Sequence, residues 1–329
     1  MKLQLFHTSL LVCDDAPLAE YQRRTADAGH TQRELLQALE LPEETILELR
    51  DDCVARGIDL LATPFDSPSL HFLARQLAAP AIKIGSGDLT HLPLLLEAAR
   101  YRRCLLLSTG MSTLAEVEQA LAVLAYGLLA GETDEAALPD PPSPAAFRHA
   151  YVSPAGQAAL QRHVILLHAT SEYPAPPASC NLRSIDTLSS AFGLAAGLSD
   201  HSEGSAIAIA AAARGACVIE KHLTLDRMLP GVDQQASLEP AAFAEMVRGI
   251  RQVEQALGSG AKLPATPELQ TAALVRRSLV AAAPIAAGEP FTERNLAIKR
   301  PGTGMSPARY WELLGSCADR DYRKDEQIR

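Results

Sequence analysis

Two histidines, His201 and His222, stand 21 residues apart, and each ends the same local pattern. The apolar run Gly193–Leu198 breaks into Ser199-Asp200-His201, and the run Cys217–Ile219 breaks into Glu220-Lys221-His222. Neutral imidazoles with carboxylates nearby suit a borderline divalent metal. The residues alone leave two readings of the pair: two ligands at one mouth, or one surface and one core imidazole. Further upstream, other apolar runs also end in small polar residues: Thr63, Ser86, Asp88, Ser108, Thr170 and Ser171. Short hydroxyls beside glycine approach a phosphate closely, and a compact ammonium such as that of Lys83 neutralises its charge. The chain has no Walker loop, no dinucleotide fingerprint and no G-x-S-x-G elbow, so nucleotide and serine-hydrolase chemistry find no support.

Such residues act together only if the elements bearing them end at one place. The spacing predicts strands over Ile58–Ala62, Ala81–Ile84, Cys104–Leu107, Val164–Leu167, Gly193–Leu198 and Cys217–Ile219. Between them it predicts helices over Pro68–Leu77, His91–Tyr101, Thr113–Ala130, Asn181–Phe192 and Ser205–Arg214, with Glu239–Leu257 closing the series. Regular alternation of this kind argues for a parallel sheet, whose C-terminal strand ends share one mouth. With the stub at residues 2–6 the count is seven strands, one short of a closed (β/α)8 barrel. Asp14–His30 reads as loop, and helices are expected over Thr31–Leu39 and from Pro42 to Gly57. The proline-rich stretch Glu132–Ala159 reads as a surface insertion away from the mouth. Ser259–Thr271 reads as a linker. Beyond it, Arg277–Ala283 and Leu296–Lys299 are short strands of a small β-rich module.

Length and composition set bounds. A chain of 329 residues accommodates a large barrel and a small second domain. A net charge of −9 argues against nucleic acid as a partner, while leaving room for an anionic substrate held by local lysines. The six cysteines form no C-x-x-C pair; most sit in apolar runs and read as buried free thiols in a reducing compartment. No apolar run is long enough to cross a membrane and no signal peptide is recognisable, so the expectation is a cytoplasmic protein.

The motifs Ala62-Thr63-Pro64-Phe65-Asp66, Lys83-Ile84-Gly85-Ser86-Gly87-Asp88, Leu107-Ser108-Thr109-Gly110-Met111, His168 through Pro174, Gly197-Leu198-Ser199-Asp200-His201, Ile219-Glu220-Lys221-His222 and Lys299 through Gly304 resemble, in order, those of the sialic acid (nonulosonate) synthase family. The resemblance runs through nearly the whole chain. It implies a TIM-type α/β barrel over 1–262, a linker over 263–271 and a small antifreeze-like SAF (β-clip) domain over 272–329. It also implies an opening strand and helix ahead of the K-x-Q strand; here the chain starts at Met1-Lys2-Leu3-Gln4, so the barrel is expected to lack its first strand and helix.

The implied enzyme is a transferase that condenses phosphoenolpyruvate with an N-acylated mannose-type sugar and releases phosphate, as in nonulosonate biosynthesis for cell-surface polysaccharide. By the resemblance, Lys2, Thr63, Lys83, Ser86, Ser108 and Ser199 hold phosphoenolpyruvate. Gln4, Asp88, Ser171, Tyr173 and Asp233 face the sugar. His201 and His222 bind a divalent metal, Mn²⁺ by expectation, with Mg²⁺ or Co²⁺ as alternatives, and Asp233 joins them in catalysis. Arg300 binds the N-acyl group in the neighbouring subunit of a domain-swapped homodimer. N-acetylmannosamine, giving N-acetylneuraminate, is the first acceptor considered. A 2,4-diacetamido-2,4,6-trideoxymannose, giving N,N'-diacetyllegionaminate, is the alternative. A non-catalytic, truncated sugar-binding relative is a third reading. The family's P-G-P-D-H segment reads Pro230-Gly231-Val232-Asp233-Gln234 here, so the histidine after Asp233 is replaced.

Overall fold

A computed structural model describes residues 1–18, 31–131, 141–229, 231 and 233–329. The chain divides into two compact units, Met1–Leu257 and Gly258–Arg329.

The first unit is built on seven parallel strands paired in sequence order: β1 (Lys2–Leu5), β2 (Leu61–Pro64), β3 (Ala81–Ile84), β4 (Cys104–Ser108), β5 (Val164–Ala169), β6 (Ala195–Asp200) and β7 (Ile219–Lys221). Sequential order in a parallel sheet requires every crossover to run the same way, which curls the sheet toward a barrel. The curl is visible in side chains: Lys2 on β1 and Lys83 on β3 both reach Glu220 on β7. The predicted α/β fold with seven strands is therefore present.

Alternation along each strand sorts the side chains into two layers. Leu105 and Leu107, Val164 and Leu166, and Ala196 and Leu198 point outward and join the main core beneath the helices. Lys83, Ser108 and Ser199 lie on the opposite face, toward the mouth. The helix Leu114–Ala130 supplies much of the outer layer, with ten buried residues. Thr113 starts it with a capping box closed by Glu116.

Glu132–Ala159, which reads from the sequence as a surface insertion, carries regular structure. Residues 132–140 lie outside the described residues, but helices cover Pro144–Val152 and Pro154–His163. The prolines mislead because they occupy helix starts, where the missing N–H costs nothing. Ser143 and Ser153 cap the two helices by accepting from Ala146 N and Gly156 N. Phe147 packs edge-on against Tyr126 of the long helix at 5.2 Å, so this segment is part of the wall.

Smaller departures have local causes. Strand β2 begins at Leu61 because Ile58 N still donates to Cys53 O, finishing the preceding helix through Gly57 at φ +67°. The helix expected over Pro68–Leu77 is α-helical over Ser67–His71 and continues as a π turn over Phe72–Gln76. Of the loop expected over Asp14–His30, residues 14–18 are neither helix nor strand, and residues 19–30 lie outside the described residues. All six cysteines are free, yet only Cys53 and Cys180 are buried; Cys13, Cys217 and Cys317 are exposed.

In the second unit a helix spans Thr266–Val275, beginning inside the stretch that reads as linker and running past its end at Thr271. Strands β8 (Ser278–Ala281) and β9 (Leu296–Lys299) then pair antiparallel. Leu279, Ala281, Ile285, Phe291, Leu296, Ala318, Tyr322 and Ile328 form a small separate core. Among the described residues no helix is long and apolar enough to cross a membrane.

Candidate active site

Lys2, the first residue of β1, and residues toward the C-terminal ends of the strands that follow supply one set of polar groups. Glu220 is its hub. Ser199 Oγ donates to Glu220 Oε1 at 2.9 Å. Lys2 Nζ lies 3.7 Å from that oxygen, and Lys83 Nζ lies 3.8 Å from Oε2. Burial acts upward on the Glu220 carboxyl, but the Lys83 and Lys2 ammonium groups outweigh it and hold the pKa below the usual range. Lys83 is itself 3% exposed, and burial pushes it down to about 8. It remains a cation at neutral pH and donates to Ile84 O at 2.9 Å.

Sequence reasoning overlooked Glu220. The signal was present: Glu220 and His222 sit two apart at a strand end, so alternation puts both on the face that carries the chemistry.

Around this charged cluster stand donors that lack protein partners. Thr63 Oγ1 and Ser108 Oγ are buried without a hydrogen-bond partner among the described residues, as is Asp88 Oδ2. Buried polar atoms are rarely left so, and a bound polar ligand is one explanation. Ser86 Oγ accepts from Gly110 N at 3.0 Å. A Cβ on Gly110 would lie 2.5 Å from Ser171 Oγ and 2.7 Å from Ser86 Oγ, so glycine is what lets these two serines stand side by side. Burial raises the Asp88 carboxyl to about 6.

The second half of the site is aromatic. The His201 and His222 ring centroids are 5.5 Å apart, and Tyr173 stacks on His201 at 4.2 Å. His201 Nδ1 lies 2.7 Å from Thr170 O. A carbonyl only accepts, so Nδ1 carries the proton and Nε2 keeps its lone pair. That Nε2 faces Tyr173 Oη at 3.2 Å and Ser199 Oγ at 3.5 Å. Burial drives both imidazoles down to about 4, with Lys2 adding to the effect on His222. Both are therefore neutral at pH 7, the form that binds metal. His222 Nδ1 is 3.7 Å from Asp233 Oδ2, whose carboxyl burial raises.

A divalent cation fits this donor set. His201 is oriented by a backbone carbonyl on its other nitrogen, as metal-ligating histidines usually are. Two imidazoles would leave coordination positions for water and substrate; among the described residues no group of three or more His, Cys, Asp or Glu is placed to hold a metal ion.

Of the residues named from the sequence, Lys2, Lys83, Ser199, His201, His222, Tyr173 and Asp233 are thus linked by direct contacts or through Glu220. Ser86 and Ser171 meet across Gly110, while Thr63, Ser108 and Asp88 present unpartnered atoms. Gln4 is exposed on β1. Arg300 is exposed just after β9, in the second unit. Thr170, grouped with the mouth from sequence, sends its hydroxyl to Ser179 O instead. Residues 230 and 232, beside Asp233, lie outside the described residues.

The same chain, compared with known proteins, matches the NeuB family over residues 1–262 and the SAF domain over residues 276–329. It is 38% identical to an N,N'-diacetyllegionaminic acid synthase of Campylobacter jejuni, covering 100% of this chain and 89% of that protein. It is 36% identical to the synthase of the same description from Legionella pneumophila, covering 96% and 81%. Among solved structures it is similar to an N-acetylneuraminic acid (sialic acid) synthetase of Leptospira borgpetersenii, with a TM-score of 0.61, 28% identity, and coverage of 82% and 78%.

Proposed function

The chain belongs to the NeuB family, and from that premise we propose that it joins phosphoenolpyruvate to a 2,4-diacetamido-2,4,6-trideoxymannose, giving N,N'-diacetyllegionaminate and free phosphate. The observation that carries this reading is the two-sided mouth. Two lysines and unpartnered hydroxyls stand on one side, and two neutral imidazoles with Tyr173 on the other. One side suits a phosphate and carboxylate, and the other a carbonyl oxygen with its metal.

Lys83, Lys2, Ser199, Thr63, Ser108 and Ser86 would hold phosphoenolpyruvate. Glu220 contacts both lysines, and its carboxylate acts upward on the Lys83 pKa against burial. Asp88, Ser171, Tyr173, Asp233 and Gln4 would receive the sugar. His201 and His222 would hold the divalent cation, manganese by expectation, which polarises the sugar's aldehyde oxygen when bound. C3 of phosphoenolpyruvate then forms the new bond to the aldehyde carbon, whose oxygen takes up a proton. Water adds at C2, and the C–O bond to phosphate breaks. Arg300 would serve the N-acyl group of sugar held by a partner subunit in a swapped dimer.

The choice of acceptor rests on similarity. Identities of 38% and 36% to two N,N'-diacetyllegionaminic acid synthases, over 100% and 96% of this chain, favour the diacetamido sugar over the N-acetylmannosamine that the motifs suggested first. The reaction type is tested with phosphoenolpyruvate labelled with ¹⁸O in its bridging oxygen. The label should leave with phosphate. Retention of the label in the sugar acid would mean P–O cleavage and would refute the reaction proposed.

A further inference from the structure

The ends of β6 and β7 carry a second pair of charges that the site does not use. Asp200 and Lys221 are the last paired residues of the two strands. Alternation turns them away from the mouth, while Ser199, His201, Glu220 and His222 face into it. Lys221 Nζ meets Asp200 Oδ2 at 2.9 Å, and the two side chains are 0% and 1% exposed. The other carboxylate oxygen, Asp200 Oδ1, accepts from Ser202 N at 2.8 Å and from Ser202 Oγ at 2.6 Å. Lys221 also donates to Ser202 O. Every strong polar group in this knot is thus engaged with another.

The knot brackets His201, which lies between Asp200 and Ser202, and it immediately precedes His222. Beyond Asp200 and Lys221 the backbone ladder between the strands stops. The carbonyl of His201 accepts instead from Ala175 N, and that of His222 from Leu238 N, each at 2.9 Å. The two histidine backbones therefore leave the sheet toward different loops. The ion pair and its bonds to Ser202 tie the two strands together at the point where the ladder ends. Burying a charge pair gains little stability over apolar residues of equal size, so its value must be sought in the geometry it imposes.

We infer that Asp200, Lys221 and Ser202 are positioning residues that fix the separation and orientation of the His201 and His222 imidazoles, and so set the affinity of the site for its divalent cation. This rests on the reading of those histidines as metal ligands. None of the three touches substrate or metal.

The test is Mn²⁺ affinity of the full chain, measured by calorimetry, with thermal melting as a check on folding. The single Lys221→Met variant leaves a buried carboxylate unpaired and should be strongly destabilised. The Asp200→Asn/Lys221→Met double variant removes both charges together and should stay folded, yet bind Mn²⁺ about 10–100-fold more weakly, the usual cost of losing support around metal ligands. Lys221→Arg keeps the pair and should bind within about threefold of the parent. A folded double variant with unchanged affinity overturns the inference. Should the double variant not fold, Ser202→Ala decides: it removes only the hydroxyl bond to Asp200, and a several-fold loss supports the inference while none refutes it. Failure of the parent chain to bind Mn²⁺, or full binding by His222→Ala, would instead refute the metal reading.

Discussion

Lys83 Nζ and Glu220 Oε2 stand 3.8 Å apart although their strands, β3 and β7, are not neighbours in the sheet. The contact exists because the sheet curls, and it links the side of the mouth proposed to hold phosphoenolpyruvate to β7, the strand that leads into His222. It also lets the Glu220 carboxylate act upward on the Lys83 pKa, against burial.

Replacing Glu220 by Gln should lower kcat/KM for phosphoenolpyruvate by at least about tenfold, since a partner of two buried or half-buried cations is lost. Glu220 acts upward on the Lys83 pKa, so its loss should also move the alkaline limb of the profile to lower pH. An unchanged limb would separate the two residues.

The parent enzyme has a pH dependence of definite sign. Burial holds Lys83 down to about 8, so it is charged below that pH and neutral above it. The kcat/KM for phosphoenolpyruvate, which reports the free enzyme, should fall as pH rises through about 8. Lys83→Met should lose both the limb and most of the rate. A rate flat to pH 9.5 would contradict this role for Lys83.

Metal binding should be unusually tolerant of acid. His201 and His222 protonate only near 4, well below an ordinary imidazole. Mn²⁺ affinity should therefore change little between pH 7 and 5.5, and fall as pH approaches 4. Equilibrium dialysis at three pH values checks this. A loss centred near 6.5 would show unshifted imidazoles.

The sequence made the strand ends legible because each one breaks from an apolar run into a distinctive polar cluster. Thr63, Ser86, Ser108, Ser199, His201 and His222 could be named in that way. Three features were hidden for physical reasons. Glu220 and Lys221 are adjacent in a polar triplet, and only strand alternation tells which enters the mouth. Prolines 144 and 154 look like breakers until their positions as first helical residues are seen. The spacing that places Ser86 against Ser171 depends on Gly110, whose role is steric and leaves no periodic trace.

That steric role can be tested alone. Gly110→Ala puts a methyl group within 2.5 Å of Ser171 Oγ and 2.7 Å of Ser86 Oγ. Neither serine can yield without leaving its place, so KM should rise for both substrates, by about tenfold or more, while the melting temperature changes modestly. A rise confined to one substrate would mean that the two serines do not share a boundary between the subsites.

The central claim is tested most directly by phosphate release. Phosphoenolpyruvate and Mn²⁺ would be supplied to the purified chain, with N-acetylmannosamine and 2,4-diacetamido-2,4,6-trideoxymannose offered separately. The account predicts release with the diacetamido sugar, at a kcat/KM at least about tenfold above that with N-acetylmannosamine. Release with N-acetylmannosamine alone would contradict the acceptor, and silence with both sugars from a folded, metal-loaded protein would contradict the synthase itself.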